Sequence, residues 1–191
     1  MIDNPKDRRE TPDDIYLPLH EEFGFTLDAA ASQLNTRCAR FCTVDGYYNR
    51  FDGAGCNFIE GLDGLTMPWA KGERVWCNPP FSDIEPWLAK AWMSEATAVL
   101  LMPQNRQEQP MWQRWIEGYR DRGALTETVP GDAPDCVPCY MSTRNLPGRR
   151  HYTINGGQPI MRLNKRTGLL ERSSPEFGTL VLVFDRRHHG A

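Results

Sequence analysis

The tetrapeptide Asn78-Pro79-Pro80-Phe81 contains the residue types needed to act on a planar amino group. The amine of a nucleobase or a carboxamide is a poor nucleophile because its lone pair is delocalised. The side-chain carbonyl of Asn78 and the backbone carbonyl of Pro79 can accept its hydrogens and favour a tetrahedral nitrogen with a usable lone pair. Two consecutive prolines stiffen the turn, and Phe81 offers a ring for stacking. The sequence therefore predicts chemistry on an exocyclic amine, with an ordinary Asn-Pro-Pro turn as the alternative.

The segments on either side of this tetrapeptide place it between a strand and a helix. Val75-Trp76-Cys77 is an apolar and aromatic run that is typical of a buried strand. Ser82, Asp83 and Pro86 follow, as they do at the start of many helices. Open α/β sheets bind ligands at such strand-to-helix turns. The position therefore favours a functional role over a plain turn.

A second group of candidate residues follows the first predicted strand. Phe25-Thr26-Leu27-Asp28 is typical of a short buried strand that ends in a carboxylate, and Ala29-Ala30-Ala31-Ser32 comes next. Small side chains after a first strand let a nucleotide-like ligand approach the backbone and a helix N-terminus. The sequence therefore predicts a ligand loop here, and an aspartate that caps a short helix is the alternative.

In their order along the chain, these pieces resemble the phage-type DNA adenine-N6 methyltransferase (Dam) family. The tetrapeptide is similar to the Asp/Asn/Ser-Pro-Pro-Tyr/Phe motif of S-adenosylmethionine-dependent amino methyltransferases. The matching pieces span nearly the whole chain and are Thr11-Pro12, residues 23–32, Asn35, Asp63-Gly64-Leu65, Trp69, Asn78-Pro79-Pro80-Phe81, and residues 100–103, 148–150 and 175–179. The resemblance implies direct methyl transfer from S-adenosylmethionine to N6 of adenine in DNA. In a duplex, the base must first flip out of the stack.

The resemblance also implies roles for particular residues. Asn78 and Pro79 accept the amine hydrogens, Pro80 keeps the turn rigid, and Phe81 stacks on the base. A further set of residues is implied to contact S-adenosylmethionine, at its methionine end, at its amino group or at its adenine amine. These cofactor residues are Thr11, Pro12, Asp28, Ala29, Ala30, Ser32 and Asp63. A helix cap at Thr11-Pro12 and an ordinary turn at Asp63-Gly64 remain alternatives.

Length and composition predict one globular domain, since the chain has 191 residues of which 40% are apolar and 25% charged. The fold class that we expect is α/β: a single domain with a mostly parallel sheet and helices on both faces. The resemblance implies a class I methyltransferase-like layout with an antiparallel last strand, at residues 177–184. Residues 1–10 are predicted to be a loose arm, residues 11–184 the methyltransferase domain, and residues 185–191 a polar tail.

Local patterns predict several further elements. Thr11 as N-cap and Pro12 as the first helical residue predict a helix to about Phe23, kinked or shortened by Pro18. An apolar run predicts a strand at residues 97–102, and residues 125–129 are predicted to form the next strand. Helical spacing predicts helices around residues 87–92 and 111–119. Residues 37–61 lack clear periodicity, which predicts loops.

Charge is distributed unevenly along the chain. The net charge is −3, with −7 on residues 1–100 and +4 on residues 101–191. A basic second half suits a protein that handles a polyanion, although ordinary solvated charge explains it equally well. Residues 130–175 form a predicted basic insertion with a hairpin turn at Asn155-Gly156. The candidate DNA contacts are Arg106, Arg144, Arg149, Arg150, Arg162, Lys165 and Arg166.

Six cysteines include two pairs with ligand-like spacing, Cys38 with Cys42 and Cys136 with Cys139. Free thiols of an intracellular protein are favoured over zinc, so we expect no metal. The sequence contains neither a long apolar run nor a signal peptide. We therefore expect a cytoplasmic protein of a bacterial or phage-infected cell, with DNA as partner, no membrane association and no obligate protein partner.

Other functions remain open at this point. The Asn-Pro-Pro-aromatic motif also serves methyltransferases that act on RNA bases or on glutamine in proteins. A non-catalytic alternative is a nucleic-acid-binding module stapled by zinc through the paired cysteines.

Overall fold

The computed structural model describes residues 7, 9–51, 55–121, 137–148, 151–173 and 177–187. The described residues contain three α-helices, α1 (Asp13–Phe23), α2 (Glu85–Met93) and the short α3 (Pro110–Trp112). A 3-10 turn at Gln104–Arg106 precedes α3, and a π-helical stretch at Gln113–Glu117 continues it. The strands are β1 (Leu27–Asp28), β2 (Arg40–Cys42), β3 (Gly46–Phe51), β4 (Gly55–Glu60), β5 (Arg74–Cys77), β6 (Thr97–Pro103), β7 (Tyr140–Asn145), β8 (Thr153–Ile154), β9 (Gln158–Pro159), β10 (Met161–Leu163), β11 (Leu170–Arg172) and β12 (Thr179–Asp185).

Eight of these strands form one mixed sheet in the order β4-β3-β2-β1-β5-β6-β12-β7. The four central strands β2, β1, β5 and β6 run parallel to one another. The pairings of β3 and β4 at one edge and of β12 and β7 at the other are antiparallel. The expectation of a mostly parallel sheet is therefore correct only for the centre, because antiparallel pairings extend the sheet on both sides.

Strands β2, β3 and β4 occupy the segment for which the sequence predicts loops, and that prediction is wrong. Every residue of β4 is exposed, so this strand lacks the alternation of apolar and polar residues that marks a half-buried strand. Aromatic pairs across the strands hold the hairpin instead. The Tyr48 ring lies 4.9 Å from that of Phe41 and 4.6 Å from that of Phe58, measured between centroids.

The helices lie on both faces of the sheet. Tyr16 of α1 packs edge-on against Trp76 of β5, with 5.5 Å between ring centroids. Trp92 of α2 packs in the same way against Phe184 of β12, at 5.4 Å. Trp76 and Phe184 pair with neighbouring residues of β6, positions 99 and 98. Because neighbouring residues of a strand point to opposite faces, α1 and α2 cover opposite faces.

The predicted antiparallel last strand is confirmed. Strand β12 lies between β6 and β7 and is antiparallel to both. All seven residues of β6 are buried, as the apolar run predicts for a central strand. The last strand begins at Thr179 rather than at residue 177.

The polar tail begins later than predicted. Asp185 is the last residue of β12, and Arg186 has only 8% of its surface exposed. The guanidinium of Arg186 donates hydrogen bonds to four backbone carbonyls, those of Ala91, Trp92, Ala96 and Val137. These bonds connect the end of the last strand to the end of α2 and to the segments before β6 and β7. A buried arginine that satisfies backbone acceptors has a structural role and is not part of a solvated tail.

Helix α1 differs from its prediction at two points. Pro12 occupies the N-cap position and the helix begins at Asp13, so Thr11 is not the cap. Pro18 lies inside the helix, which nevertheless continues to Phe23. The helix ends at Gly24, whose φ of 63° is the left-handed conformation that glycine adopts without strain. The predicted C-terminal boundary is therefore correct.

Two short hairpins lie outside the main sheet. Strands β8 and β9 join through Asn155, Gly156 and Gly157, all with positive φ, which confirms the predicted hairpin turn. Strands β10 and β11 form a second hairpin in which every strand residue is exposed. The predicted strand at residues 125–129 lies outside the described residues. Within the described part of the chain, no helix is both long and apolar enough to cross a membrane.

Candidate active site

The two predicted groups of site residues meet at one edge of the sheet. Asp28 is the last residue of β1 and pairs with Trp76 of β5, and Asn78 directly follows the end of β5. The backbone amide of Ala29 donates to the Trp76 carbonyl at 2.9 Å. Because β1 and β5 are parallel, their carboxyl ends lie side by side. The ligand loop and the tetrapeptide therefore share the edge at which α/β sheets bind ligands.

The side chain of Asn78 is only partly exposed and makes one hydrogen bond. Its Nδ2 donates to the backbone carbonyl of Arg9 at 2.9 Å. Its Oδ1 is buried and has no hydrogen-bond partner among the described residues. A buried carbonyl oxygen without a donor is unfavourable, so the structure leaves one acceptor of Asn78 available to a ligand.

Phe81 is buried, with 7% of its surface exposed. Tyr152 and Phe177 pack against it edge-to-face, with centroid distances of 6.2 and 5.8 Å. The guanidinium of Arg9 lies 5.0 Å from the Phe177 ring centroid. A base can stack on Phe81 only after one of its aromatic neighbours moves aside.

Asp28 is fully buried at the end of β1. Its Oδ2 accepts a hydrogen bond from the Arg37 amide at 2.9 Å, whereas its Oδ1 has no partner among the described residues. Burial raises the pKa of Asp28 to about 6, although the backbone amides of Arg37 and Ala30 act in the opposite direction. A cationic group beside Oδ1 would stabilise the ionised form. The site thus fits the ammonium group of an amino acid.

Arg37 joins the predicted cofactor residues to one another. Its guanidinium donates to the backbone carbonyl of Thr11 and to the carboxylate of Asp13, the latter at 2.5 Å. Its amide binds Asp28, so Arg37 holds the start of α1 next to the end of β1. Thr11 is buried and Pro12 partly so. No sequence pattern indicates this role, because the residues next to Arg37 do not distinguish it from an ordinary surface arginine.

Asp63 has the role of a turn residue. Its Oδ1 accepts hydrogen bonds from the amides of Leu65 and Thr66 and from the Thr66 hydroxyl, at 2.8 to 3.0 Å. These bonds form the Asp63-Gly64 turn that is the alternative to a cofactor contact. The turn nevertheless adjoins the ligand loop, because a Cβ on Gly64 would lie 1.9 Å from the Ala29 carbonyl oxygen.

The remainder of the ligand loop is ordered by local hydrogen bonds. Ala29 is buried and Ala30 partly buried. The amide of Ser32 donates to Asn35 Oδ1 at 2.6 Å, and the Asn35 amide donates back to the Ser32 hydroxyl at 3.3 Å. Asn35 therefore shapes the loop, while the small residues keep its backbone accessible to close approach.

The candidate DNA contacts have different surroundings. Arg106 donates to the Phe81 carbonyl at 3.3 Å and therefore supports the tetrapeptide. Arg144 forms a two-fold ion pair with Glu22, at 2.5 and 2.7 Å, which lowers the pKa of the Glu22 carboxyl. Arg149 and Arg150 lie outside the described residues. The basic side chains on the exposed β10–β11 hairpin are those of Arg162, Lys165, Arg166 and Arg172.

Residues near the chain start complete the site, and the structure corrects the prediction of a loose arm for them. Asp7 accepts hydrogen bonds from the amide and hydroxyl of Ser82, at 3.1 and 2.6 Å. The Arg9 carbonyl binds Asn78. Glu10 is 7% exposed and its backbone pairs with Thr153 of β8. We call Asp7, Arg9 and Glu10 the N-terminal strap.

The cysteines do not gather into a metal site in the part of the chain that is described. Cys38 is partly buried with its Sγ 3.6 Å from the Tyr16 hydroxyl, and Cys42 and Cys139 are buried. Burial raises the pKa of Cys42 to about 12. Cys136 lies outside the described residues. Among those described, no three histidine, cysteine, aspartate or glutamate side chains cluster to hold a metal.

A cavity of about 510 Å³ lies at the opposite ends of the central strands from Asn78, where β5 and β6 begin. Arg74 and Thr97, the first residues of β5 and β6, form part of its lining. Asn78 is four residues further along the chain than Arg74, about 13 Å at the rise of a strand. The cavity is therefore separate from the site. Its lining also includes Lys71, Glu73, Glu95, Val137, Arg186 and Arg187.

The shared edge combines a buried carboxylate that suits an ammonium group with an amide oxygen that suits an amine. Residues 1–52 match the family model described as DNA N-6-adenine-methyltransferase (Dam). The matched segment contains Thr11, Pro12, Asp28 and the ligand loop, and it ends before Asn78. A comparison of the chain with curated proteins gave no match.

Proposed function

We propose that the protein is an S-adenosylmethionine-dependent methyltransferase that modifies the N6 amine of adenine in DNA. The observation that carries the proposal is the buried, unpartnered Oδ1 of Asn78 at the carboxyl end of β5. The match of residues 1–52 to a DNA N-6-adenine-methyltransferase family supports the substrate class. The antiparallel last strand and the helices on both faces support a class I methyltransferase-like layout.

Asn78 and Pro79 would act on the amine itself. Oδ1 of Asn78 and the Pro79 carbonyl accept its two hydrogens, which draws the nitrogen away from planarity and exposes its lone pair. The nitrogen would gain positive charge as the sulfonium donor gives up its methyl group, and it would then release a proton to solvent. No general base with a raised pKa is needed. Phe81 holds the base by stacking once an aromatic neighbour has moved.

The cofactor would bind along the ends of β1 and α1. Asp28 Oδ1 pairs with its ammonium group, while the small residues Ala29 and Ala30 allow close approach to the backbone. Thr11, which precedes Pro12, is linked to Asp28 through Arg37. When bound, S-adenosylmethionine supplies an electrophilic methyl group. Ser32 and Asp63 would contribute by shaping the loops beside this proposed cofactor site.

DNA would approach the same edge from the basic second half of the chain. A base in a duplex must leave the stack to reach Asn78, at a cost of a few kcal/mol. The β10–β11 hairpin offers exposed Lys165 and Arg166 in its turn for phosphate contacts. Arg149 and Arg150 are proposed as further contacts. Arg106 and Arg144 already use some of their N–H donors on the Phe81 carbonyl and the Glu22 carboxylate.

The decisive test is replacement of Asn78. We expect Asn78→Ala to reduce methylation of DNA by about 100-fold or more, the scale observed when one such catalytic hydrogen-bonding group is removed. Binding of S-adenosylmethionine, measured by calorimetry, should stay close to that of the wild type. Mass spectrometry of digested DNA identifies N6-methyladenine directly. The matched control is Asn57→Ala, on the exposed edge strand β4.

Unchanged N6-methyladenine formation by Asn78→Ala would refute the catalytic assignment. The same assay with RNA or with a glutamine-containing protein as acceptor separates the alternative methyltransferase functions. A wild-type protein that carries stoichiometric zinc and does not bind S-adenosylmethionine would instead support the nucleic-acid-binding module.

A further inference from the structure

The N-terminal strap crosses the turn that carries Asn78. Asp7 caps the segment after the turn through two hydrogen bonds from Ser82. The carbonyl of Arg9 accepts the hydrogen bond from Asn78 Nδ2. The strap thus contacts Asn78 of the tetrapeptide and also Ser82, the residue that follows the tetrapeptide. About 70 positions of sequence separate the strap from these residues.

The bond to Arg9 decides which end of the Asn78 amide faces the ligand. A backbone carbonyl can only accept a hydrogen bond, so it must meet the NH2 end of the asparagine and not the oxygen. The oxygen then points the other way, where it is buried without a partner. If the amide rotated by half a turn, it would present donors to a substrate amine, and donors cannot accept the amine hydrogens.

The position of the Arg9 carbonyl depends in turn on Glu10. The Glu10 carboxylate accepts hydrogen bonds from the Gly156 amide, the Gly157 amide and the Thr153 hydroxyl, at 2.7, 2.8 and 3.0 Å. The Glu10 amide also donates to the Thr153 carbonyl at 2.8 Å. Successive amides with positive φ form a concave site that suits a carboxylate. Glu10 is therefore fixed to the β8–β9 turn.

We propose that Glu10 is a positioning residue that orients the catalytic amide of Asn78 through the Arg9 carbonyl. This inference rests on the proposed function, because it assigns Glu10 a part in the same methyl transfer. It adds a residue that touches neither the cofactor nor the base. It also makes the β8–β9 turn part of the catalytic apparatus.

The test compares Glu10→Ala and Glu10→Gln with Glu60→Ala, which removes an exposed glutamate of β4. We expect Glu10→Ala to lower kcat by about 10- to 100-fold, the range expected for a misplaced catalytic group. The KM for S-adenosylmethionine should change less than twofold, since no cofactor residue is altered. Glu10→Gln keeps the length of the side chain and one acceptor, so its kcat should lie between those of Glu10→Ala and the wild type.

A second readout is independent of activity. The NH2 protons of Asn78 give a pair of signals in a ¹⁵N-labelled spectrum, and the pair is identified by its loss in Asn78→Asp. In the wild type these protons should exchange slowly with solvent because they are bound to Arg9. In Glu10→Ala they should exchange at least tenfold faster, while the amides of the buried strand β6 retain their protection.

Two results would overturn the positioning role: a kcat for Glu10→Ala equal to that of Glu60→Ala, or unchanged exchange of the Asn78 NH2 protons. If Glu10→Ala fails to fold, Glu10→Gln alone is decisive by the same two measurements. If the wild type transfers no methyl group, the proposed function fails, and the proton exchange then decides whether Glu10 orients Asn78.

Discussion

Replacement of Asp28 by asparagine should stabilise the ligand-free protein at neutral pH, although the residue lies in the proposed cofactor site. Asp28 is fully buried, and its pKa is raised from 3.8 to about 6 by that burial. One pKa unit corresponds to about 1.36 kcal/mol, so the ionised carboxylate destabilises the folded state by about 3 kcal/mol. Asparagine keeps an oxygen for the Arg37 amide but carries no charge.

The pH dependence has a definite sign. The folded state holds the Asp28 proton more tightly than the unfolded chain, in which the pKa is ordinary. Stability is therefore lost as the pH rises from about 4 to about 6, and the loss is complete above that range. In Asp28→Asn this loss is absent. The difference in unfolding free energy between variant and wild type should thus grow with pH.

Urea unfolding of both proteins at intervals from pH 4.5 to pH 7.5 measures this difference. The matched control is Asp45→Asn, in which an exposed aspartate is replaced. A difference for Asp28→Asn that stays constant over this range would refute the inference that burial raises the Asp28 pKa. We also expect Asp28→Asn to lose affinity for S-adenosylmethionine. Wild-type affinity should rise as the pH increases through about 6, because the ammonium group pairs with the ionised form.

Two further predictions concern packing and DNA. Gly64→Ala would place a Cβ 1.9 Å from the Ala29 carbonyl oxygen and should lower the unfolding free energy by about 1–3 kcal/mol. The control is Gly118→Ala, because Gly118 has open space around it. Equal stability of the two variants would contradict the close approach at Gly64. Removal of both Lys165 and Arg166 should reduce the slope of log affinity for DNA against log salt concentration by about 2, and an unchanged slope would exclude this hairpin from the phosphate contacts.

The position of the site could be predicted from the sequence because strand ends are local features. Asp28 and Asn78 each follow a short apolar run, and the parallel pairing of β1 with β5 brings the two ends together. The last strand could likewise be predicted, because residues 180–184 are continuously apolar, whereas its antiparallel direction is implied only by the family resemblance. The rest of the sheet was harder to predict. Strand β4 carries no buried side chain, so its sequence has no pattern that separates it from a loop.

The contacts that complete the site are not local, and no periodicity reveals them. Glu10 binds Gly156 across 146 positions of sequence, and Asn78 binds Arg9 across 69. Arg37 connects Thr11 with Asp28 in the same way. Such hydrogen bonds depend on how the β8–β9 hairpin and the start of α1 come to lie against the sheet. That arrangement is a property of the assembled fold.

If Phe81 stacks on a base as proposed, the aromatic packing around its ring limits how tightly that base binds. In the free protein the ring already has two partners, Tyr152 and Phe177, so an arriving base replaces an existing contact and adds little new apolar burial. The net gain is the difference between two similar stacking energies. Such an exchange favours selectivity over tight binding, since only a planar ring that competes well with a tyrosine is retained beside Asn78.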